Sequence, residues 1–134
     1  MKSPPVLDTH VWVWWVDGDV RLDQQVRRDL DALSADSKPI ISDISLWEVA
    51  MLVGLGRMQL DRSLESWLPR AAAAVKSWPI TPSIAAEVAR LPSTFHRDPA
   101  DRLIVGTSRT GGWPLVTYDR RIIDSGLVRL WRPR

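Results

Sequence analysis

What most constrains this chain is an alternation. Short apolar runs, too brief to be helices, recur between longer segments whose apolar residues fall at helical spacing. The runs are Pro5-Val6-Leu7, Pro39-Ile40-Ile41, a brief one near Trp78-Pro79-Ile80, Leu115-Val116-Thr117, and Leu127 to Trp131. Between them, Asp23 to Ala35 sets Val26, Leu30 and Leu33 on one face, Ser45 to Leu55 is apolar nearly all round, and Ser63 to Val75 carries an alanine run. Thr81-Pro82 and Asp98-Pro99 each read as an N-cap followed by proline at the first helical position, and Gly111-Gly112 closes the second of these helices. The stretch Val11-Trp12-Val13-Trp14-Trp15-Val16 suits a strand continuation or a short buried helix; Asp8-Thr9 ahead of it, as a cap, favours the helix. Apolar strands alternating with helices predict an α/β fold with a central, mainly parallel sheet of four to five strands, covered by helices on both faces.

A length of 134 residues suits one domain, spanning residues 1–134. No run approaches the apolar length of a membrane span, and Asp8 arrives before any signal-like segment develops, so the chain reads as cytosolic. With no cysteine, disulfide scaffolds, Cys-ligated zinc and thiol nucleophiles are excluded together. Charge is uneven: residues 1–94 hold 10 Lys+Arg against 12 Asp+Glu, whereas residues 95–134 hold 8 Arg against 4 Asp. An arginine-rich surface suits phosphate contacts, although a compositional preference for arginine over lysine would leave the same mark.

In a parallel sheet, functional groups collect where strands end and helices begin. Asp8 follows the first run, Asp119 follows Leu115 to Tyr118, and Asp101 lies in the first turn after Asp98-Pro99. Each has a plainer duty available, as a cap or as a first-turn acid favoured by the helix dipole. Glu48 tips the balance. It is the only charged residue between Ile44 and Gly56, and a carboxylate buried alone is costly unless something cationic meets it. Converging acids without cysteine, and with only His10 and His96 as imidazoles, favour a hard cation such as Mg²⁺ or Mn²⁺ over zinc. Such a centre suits phosphodiester hydrolysis. No Walker, dinucleotide-binding or nucleophile-elbow motif competes with it.

At these residues the sequence resembles the PIN-domain ribonucleases, specifically the VapC-type toxins of bacterial toxin–antitoxin pairs. The resemblance rests on Leu7-Asp8-Thr9-His10, Ser45-Leu46-Trp47-Glu48-Val49-Ala50, His96-Arg97-Asp98-Pro99-Ala100-Asp101-Arg102-Leu103-Ile104 and Leu115-Val116-Thr117-Tyr118-Asp119. It implies a three-layer α/β/α PIN-like fold and an acidic pocket for Mg²⁺ or Mn²⁺. Asp8 and Asp101 would be the principal metal ligands, with Glu48 and Asp119 completing the cluster directly or through water. Asp98 competes with Asp101 for its place, but is better set to cap the helix; Thr9 and Thr117 offer supporting hydroxyls. The resemblance further implies an endoribonuclease acting on RNA, inhibited by a cognate VapB-type antitoxin whose tail fills the groove, and often a homodimer. Trp12-Val13-Trp14-Trp15 and Leu46-Trp47 are the candidate landing surface for such a tail, with core packing the competing and, for any single tryptophan, the favoured role; Arg97, Arg102, Arg120 and Arg121 are the candidates for RNA phosphates. A catalytically silent PIN-like module binding RNA or protein is the second reading, and the presence of all four acids argues against it.

Overall fold

The computed structural model describes residues 3–131. Four parallel strands, β1 (Val6–Leu7), β2 (Ile40–Ser42), β3 (Lys76–Trp78) and β4 (Leu115–Val116), lie in the order β3-β2-β1-β4. Val6 stands opposite both Ile40 and Leu115, so β1 is central. Seven helices complete the three layers: α1 (Thr9–Asp17), α2 (Gln24–Asp31), α3 (Ile44–Gly54), α4 (Leu64–Ala73), α5 (Pro82–Arg90), α6 (Pro99–Gly111) and α7 (Arg120–Ser125).

Successive strand residues point to opposite faces, and the two cores follow that rule residue by residue. Leu7, Ile41 and Val116 join Val11, Trp12, Leu30, Val49 and Trp67 on one side of the sheet. Val6, Ile40 and Leu115 join Phe95, Ile104, Val105 and Ile122 on the other. A strand buried on both faces must be apolar throughout, which is why these segments read as unbroken runs rather than alternating ones. Trp12 and Trp67 anchor the first core edge to face, with ring centres 4.9 Å apart, and Trp12 Nε1 donates to Ala71 O at 3.1 Å. On the second side α5 lies tightly on α6: a Cβ at Gly106 would come within 2.8 Å of Val88 Cγ2.

Two expected strands fall differently. The third occupies Lys76–Trp78 rather than Trp78 to Ile80, because pairing with β2 begins where Lys76 N donates to Pro39 O and Pro79 has no N–H to extend it. The last run, Leu127 to Trp131, forms a single parallel bridge between Leu115 and Leu130 instead of a strand. The ambiguous Val11 to Val16 stretch lies wholly within α1.

The strand order has a functional consequence. From β1 the chain steps outward through β2 to β3, then crosses back to place β4 on the other side of β1. The chain therefore leaves β1 toward β2 and leaves β4 the other way, toward the Leu130 bridge, opening a crevice at their C-terminal ends, the position where ligands bind in open α/β sheets.

Candidate metal centre

Three helix starts and one buried helix bring acids to that crevice. Asp8 caps α1, its Oδ1 accepting from Thr9 N at 2.8 Å, while Oδ2 accepts from Thr117 Oγ1 at 2.7 Å. Asp119 caps α7, Oδ1 accepting from Arg121 N at 2.8 Å. Asp98 caps α6, and a single oxygen, Oδ1, accepts from both Ala100 N and Asp101 N at 2.9 and 3.2 Å. Pro99 behind it supplies the preset helical φ and no surplus N–H. One turn into α6, Asp101 turns inward and is 7% exposed. Glu48 comes from the middle of α3 and is 8% exposed.

These five acids line one cleft of about 350 Å³, with Val11, Trp14, Leu52 and Tyr118 as its apolar and aromatic walls and His10 and Arg121 at its polar edge. Its electrostatics are out of balance. Burial pushes the Asp101 carboxyl up to about 8, and Asp8, Asp98, Glu48 and Asp119 add repulsion. Burial likewise raises Glu48 against the pull of the Thr9 hydroxyl, with Asp8 and Asp98 pushing the same way. Asp8 is raised by burial although Thr117, the Thr9 N–H and His10 oppose the shift. Asp119 goes the other way: partial burial is outweighed by its bonds from Arg121, which hold it below the usual carboxylate range.

The matching family is PIN, described as the PIN domain, whose model covers residues 6–126. The chain belongs to the PIN-domain family. It is 41% identical over 117 residues to Ribonuclease VapC22 of Mycobacterium tuberculosis, spanning 87% of this chain and 88% of that one. Its fold is similar to VapBC2 from Rickettsia felis bound to a promoter DNA fragment (TM-score 0.71, 16% identity, 96% and 98% of the two chains). A toxin–antitoxin complex from Klebsiella pneumoniae (0.60, 17%, 86% of each chain) and FitAB bound to a DNA fragment (0.61, 21%, 94% and 92%) share it.

Does the acidic cleft of this PIN domain fit a cation? Ligand-capable atoms of Glu48, Asp98 and Asp101 lie within 4.8 Å of one another, as do those of His96, Asp101 and Asp119, so Asp101 belongs to both groups. Glu48 Oε1 is buried without a hydrogen-bond partner among the described residues. An orphaned carboxylate oxygen among other acids is a costly arrangement unless a cation meets it. The donor set is nearly all oxygen and suits a hard divalent ion. The residues fit.

Sequence reasoning gave His96 no role of its own, counting it only as one of two imidazoles. Its Nε2 stands 3.2 Å from Asp101 Oδ2, close enough for an ion pair yet without hydrogen-bond alignment. The available signal was its place two residues before the Asp98 cap. Thr9 is fully buried behind the cleft wall, where its N–H donates to Asp8 and its hydroxyl meets Ser45 Oγ at 2.8 Å and pulls on Glu48. Thr117 likewise serves two acids, donating to Asp8 and accepting from Asp119 N at 3.1 Å.

The structure narrows two sets of candidates. Trp12 and Val13 are core, and Trp15 is tied by Nε1 to Asp31 Oδ1 at 2.8 Å, so of that aromatic segment only Trp14 reaches the cleft. Trp47 is 54% exposed. Among the arginines, Arg102 is a structural brace, its guanidinium donating to the carbonyls of Pro92, Phe95 and His96. Arg121 faces the cleft, whereas Arg120 pairs with Asp124.

Proposed function

We propose that this chain is a divalent-metal-dependent endoribonuclease, the VapC-type toxin of a toxin–antitoxin pair, hydrolysing RNA phosphodiester bonds at Asp8, Glu48, Asp101 and Asp119. The observation that carries the assignment is a cleft in which three buried carboxylates have raised pKa values and one oxygen of Glu48 is unbonded. Its likeness to Ribonuclease VapC22 supports RNA as substrate, and its toxin–antitoxin relatives in structure support a VapB-type antitoxin as partner. No described helix is long and apolar enough to cross a membrane. Work in the cytoplasm as a homodimer completes the reading.

Asp8, Asp101 and Glu48 would hold the ion, with Asp119 and Asp98 at its margin. When bound, Mg²⁺ or Mn²⁺ supplies Lewis-acid activation of water and of the phosphodiester. The protein's own groups set the stage. The Thr117 hydroxyl and the Thr9 N–H fix the two oxygens of Asp8, so that its carboxylate is oriented before substrate arrives. A proton held on Asp101, whose pKa is pushed up to about 8, would have to leave for a cation to bind, since only the charged carboxylate is a ligand. Arg121, aligned by Asp119, presents guanidinium N–H donors at the mouth for a phosphate oxygen.

Purified protein should cut single-stranded RNA with Mg²⁺ or Mn²⁺ and stop on addition of EDTA; cleavage surviving thorough chelation would refute the metal assignment. Expressed alone it should arrest growth, and co-expression of the neighbouring antitoxin should restore it. A folded, abundant and harmless chain would remove the toxin role.

A further inference from the structure

Beside the acidic cleft lies a second cavity, of about 300 Å³, whose walls include His10, Trp14, Arg21, Arg57 and Gln59. His10 and Trp14 line both cavities. They stand four residues apart on α1, hence on one helix face, and their rings meet edge to face at 6.0 Å. The two spaces differ in charge. Five carboxylates line the first, whereas the second is lined by two guanidinium groups and an imidazole with no carboxylate.

Both arginines stand on backbone that the fold has locked. α1 stops at Gly18 in the left-handed conformation, and Asp19 N donates back to Trp14 O at 2.9 Å. Asp19 then grips Arg21 through its N, Nε and Nη2, and the guanidinium carbon lies 5.1 Å from the Trp14 ring centre. On the far wall α3, having delivered Glu48 and Leu52 to the cleft, is closed off past its Leu55 cap by Gly56 (φ +70°). There Gly56 N donates to Val53 O and Arg57 N to Leu52 O, at 3.0 and 2.9 Å, the paired bonds of a Schellman motif. The Arg57 side chain itself is exposed and makes no hydrogen bond or ion pair among the described residues. A free guanidinium on an ordered backbone, in a cavity that shares His10 and Trp14 with the acidic cleft, is a ready anion receptor.

We propose that this cavity is the subsite for the nucleotide flanking the cleavage point: Arg57 and Arg21 hold the phosphate next to the one being cut, and the His10–Trp14 pair receives a base. The inference rests on the ribonuclease reading. The charge reversal selects a strand of nucleic acid over an acidic peptide, because one phosphate of the strand needs a cation-filled acidic site while its neighbour needs a basic one. The paired aromatic rings add a sequence-tolerant stacking surface.

The test uses a fluorescein-labelled, random-sequence ten-nucleotide RNA with Mg²⁺, bound to the full chain carrying Asp101→Asn so that it is not consumed. Adding Arg57→Gln should weaken binding about tenfold at moderate salt and lower the salt slope by about 0.7. Trp14→Leu should weaken binding about tenfold with an unchanged slope. Arg90→Gln, on an exposed arginine paired with Glu87, is the control and should do nothing. In the cleaving protein, Arg57→Gln should raise KM more than it lowers kcat. Wild-type affinity, slope and KM in Arg57→Gln would overturn the subsite even though the wild-type chain cuts RNA. Weakened antitoxin binding with unchanged RNA binding would give the cavity to the partner and also overturn it. A wild-type chain that does not cut RNA at all would fail the ribonuclease reading instead.

Discussion

The acids of this protein live under two regimes. Away from the cleft Glu87 and Asp19 are matched: Arg109 sits 2.7 Å from Glu87 and keeps it below the ordinary range, and bonds from Arg21 hold Asp19 down to about 2. Inside the cleft Asp8, Glu48 and Asp101 have no arginine or lysine partner among the described residues, and all three are buried and raised. Asp119 marks the border, facing the cleft yet bonded to Arg121. The difference separates two uses of a carboxylate. A matched acid on the surface contributes little to stability. An unmatched, buried one costs stability, and its retention points to a ligand that is absent from the folded chain alone.

The comparison can be broken most sharply at Asp101. Asp101→Asn should lower RNA cleavage at least about a hundredfold and at the same time raise the melting temperature of the cation-free protein, because it removes the repulsion at its centre. A lower melting temperature would mean that the cleft is not strained. The same residue sets a pH dependence. Its pKa rises from 3.8 to about 8 on folding, so across that interval the folded chain binds a proton which the unfolded chain releases. Stability of the cation-free protein contributed by this group is therefore present at low pH and lost as pH rises toward 8. Thermal melts between pH 5 and pH 8 should show the decline; Asp101→Asn should flatten it, and saturating Mg²⁺ or Mn²⁺ should offset it most at the alkaline end.

Thr117→Val should come next. It removes the hydroxyl that donates to Asp8 Oδ2 and accepts from Asp119 N, and activity should fall about tenfold with the fold intact by circular dichroism. Asp98→Asn sharpens the division of labour between neighbouring acids. Asparagine caps as well as aspartate, so melting should hardly move, and cleavage should fall far less than in Asp101→Asn. The reverse ranking would make Asp98 the principal ligand. At the small end, Glu87→Gln should leave cleavage unchanged and shift melting by no more than about 2 °C. A larger shift would erase the contrast between the two regimes.

The sheet was legible because burial on both faces forces Val6-Leu7, Ile40-Ile41 and Leu115-Val116 to be apolar without alternation. The same signal misleads at Leu127 to Trp131, where an apolar run at the sheet edge gains only one bridge. Acids at strand ends were legible through their caps and through the isolation of Glu48 in an apolar helix. What linear sequence could not carry was distance. His96 comes to Asp101 because Arg102 pulls the turn before α6 inward by three carbonyls. Nothing in the spacing of tryptophans distinguishes Trp12, buried against Trp67, from Trp14, which borders two cavities.

Because Asp8, Asp98 and Asp119 are all N-caps, the geometry of the cleft is borrowed from the first turns of three helices. First turns open at far lower free energy than a buried sheet does. The arm carrying Asp119 is the weakest of the three, since α7 is only six residues long. On warming, the acids should lose their alignment one helix start at a time while the strands stay paired. Heat inactivation of cleavage should then precede loss of the far-ultraviolet circular dichroism signal, giving a temperature window in which the protein is folded and harmless.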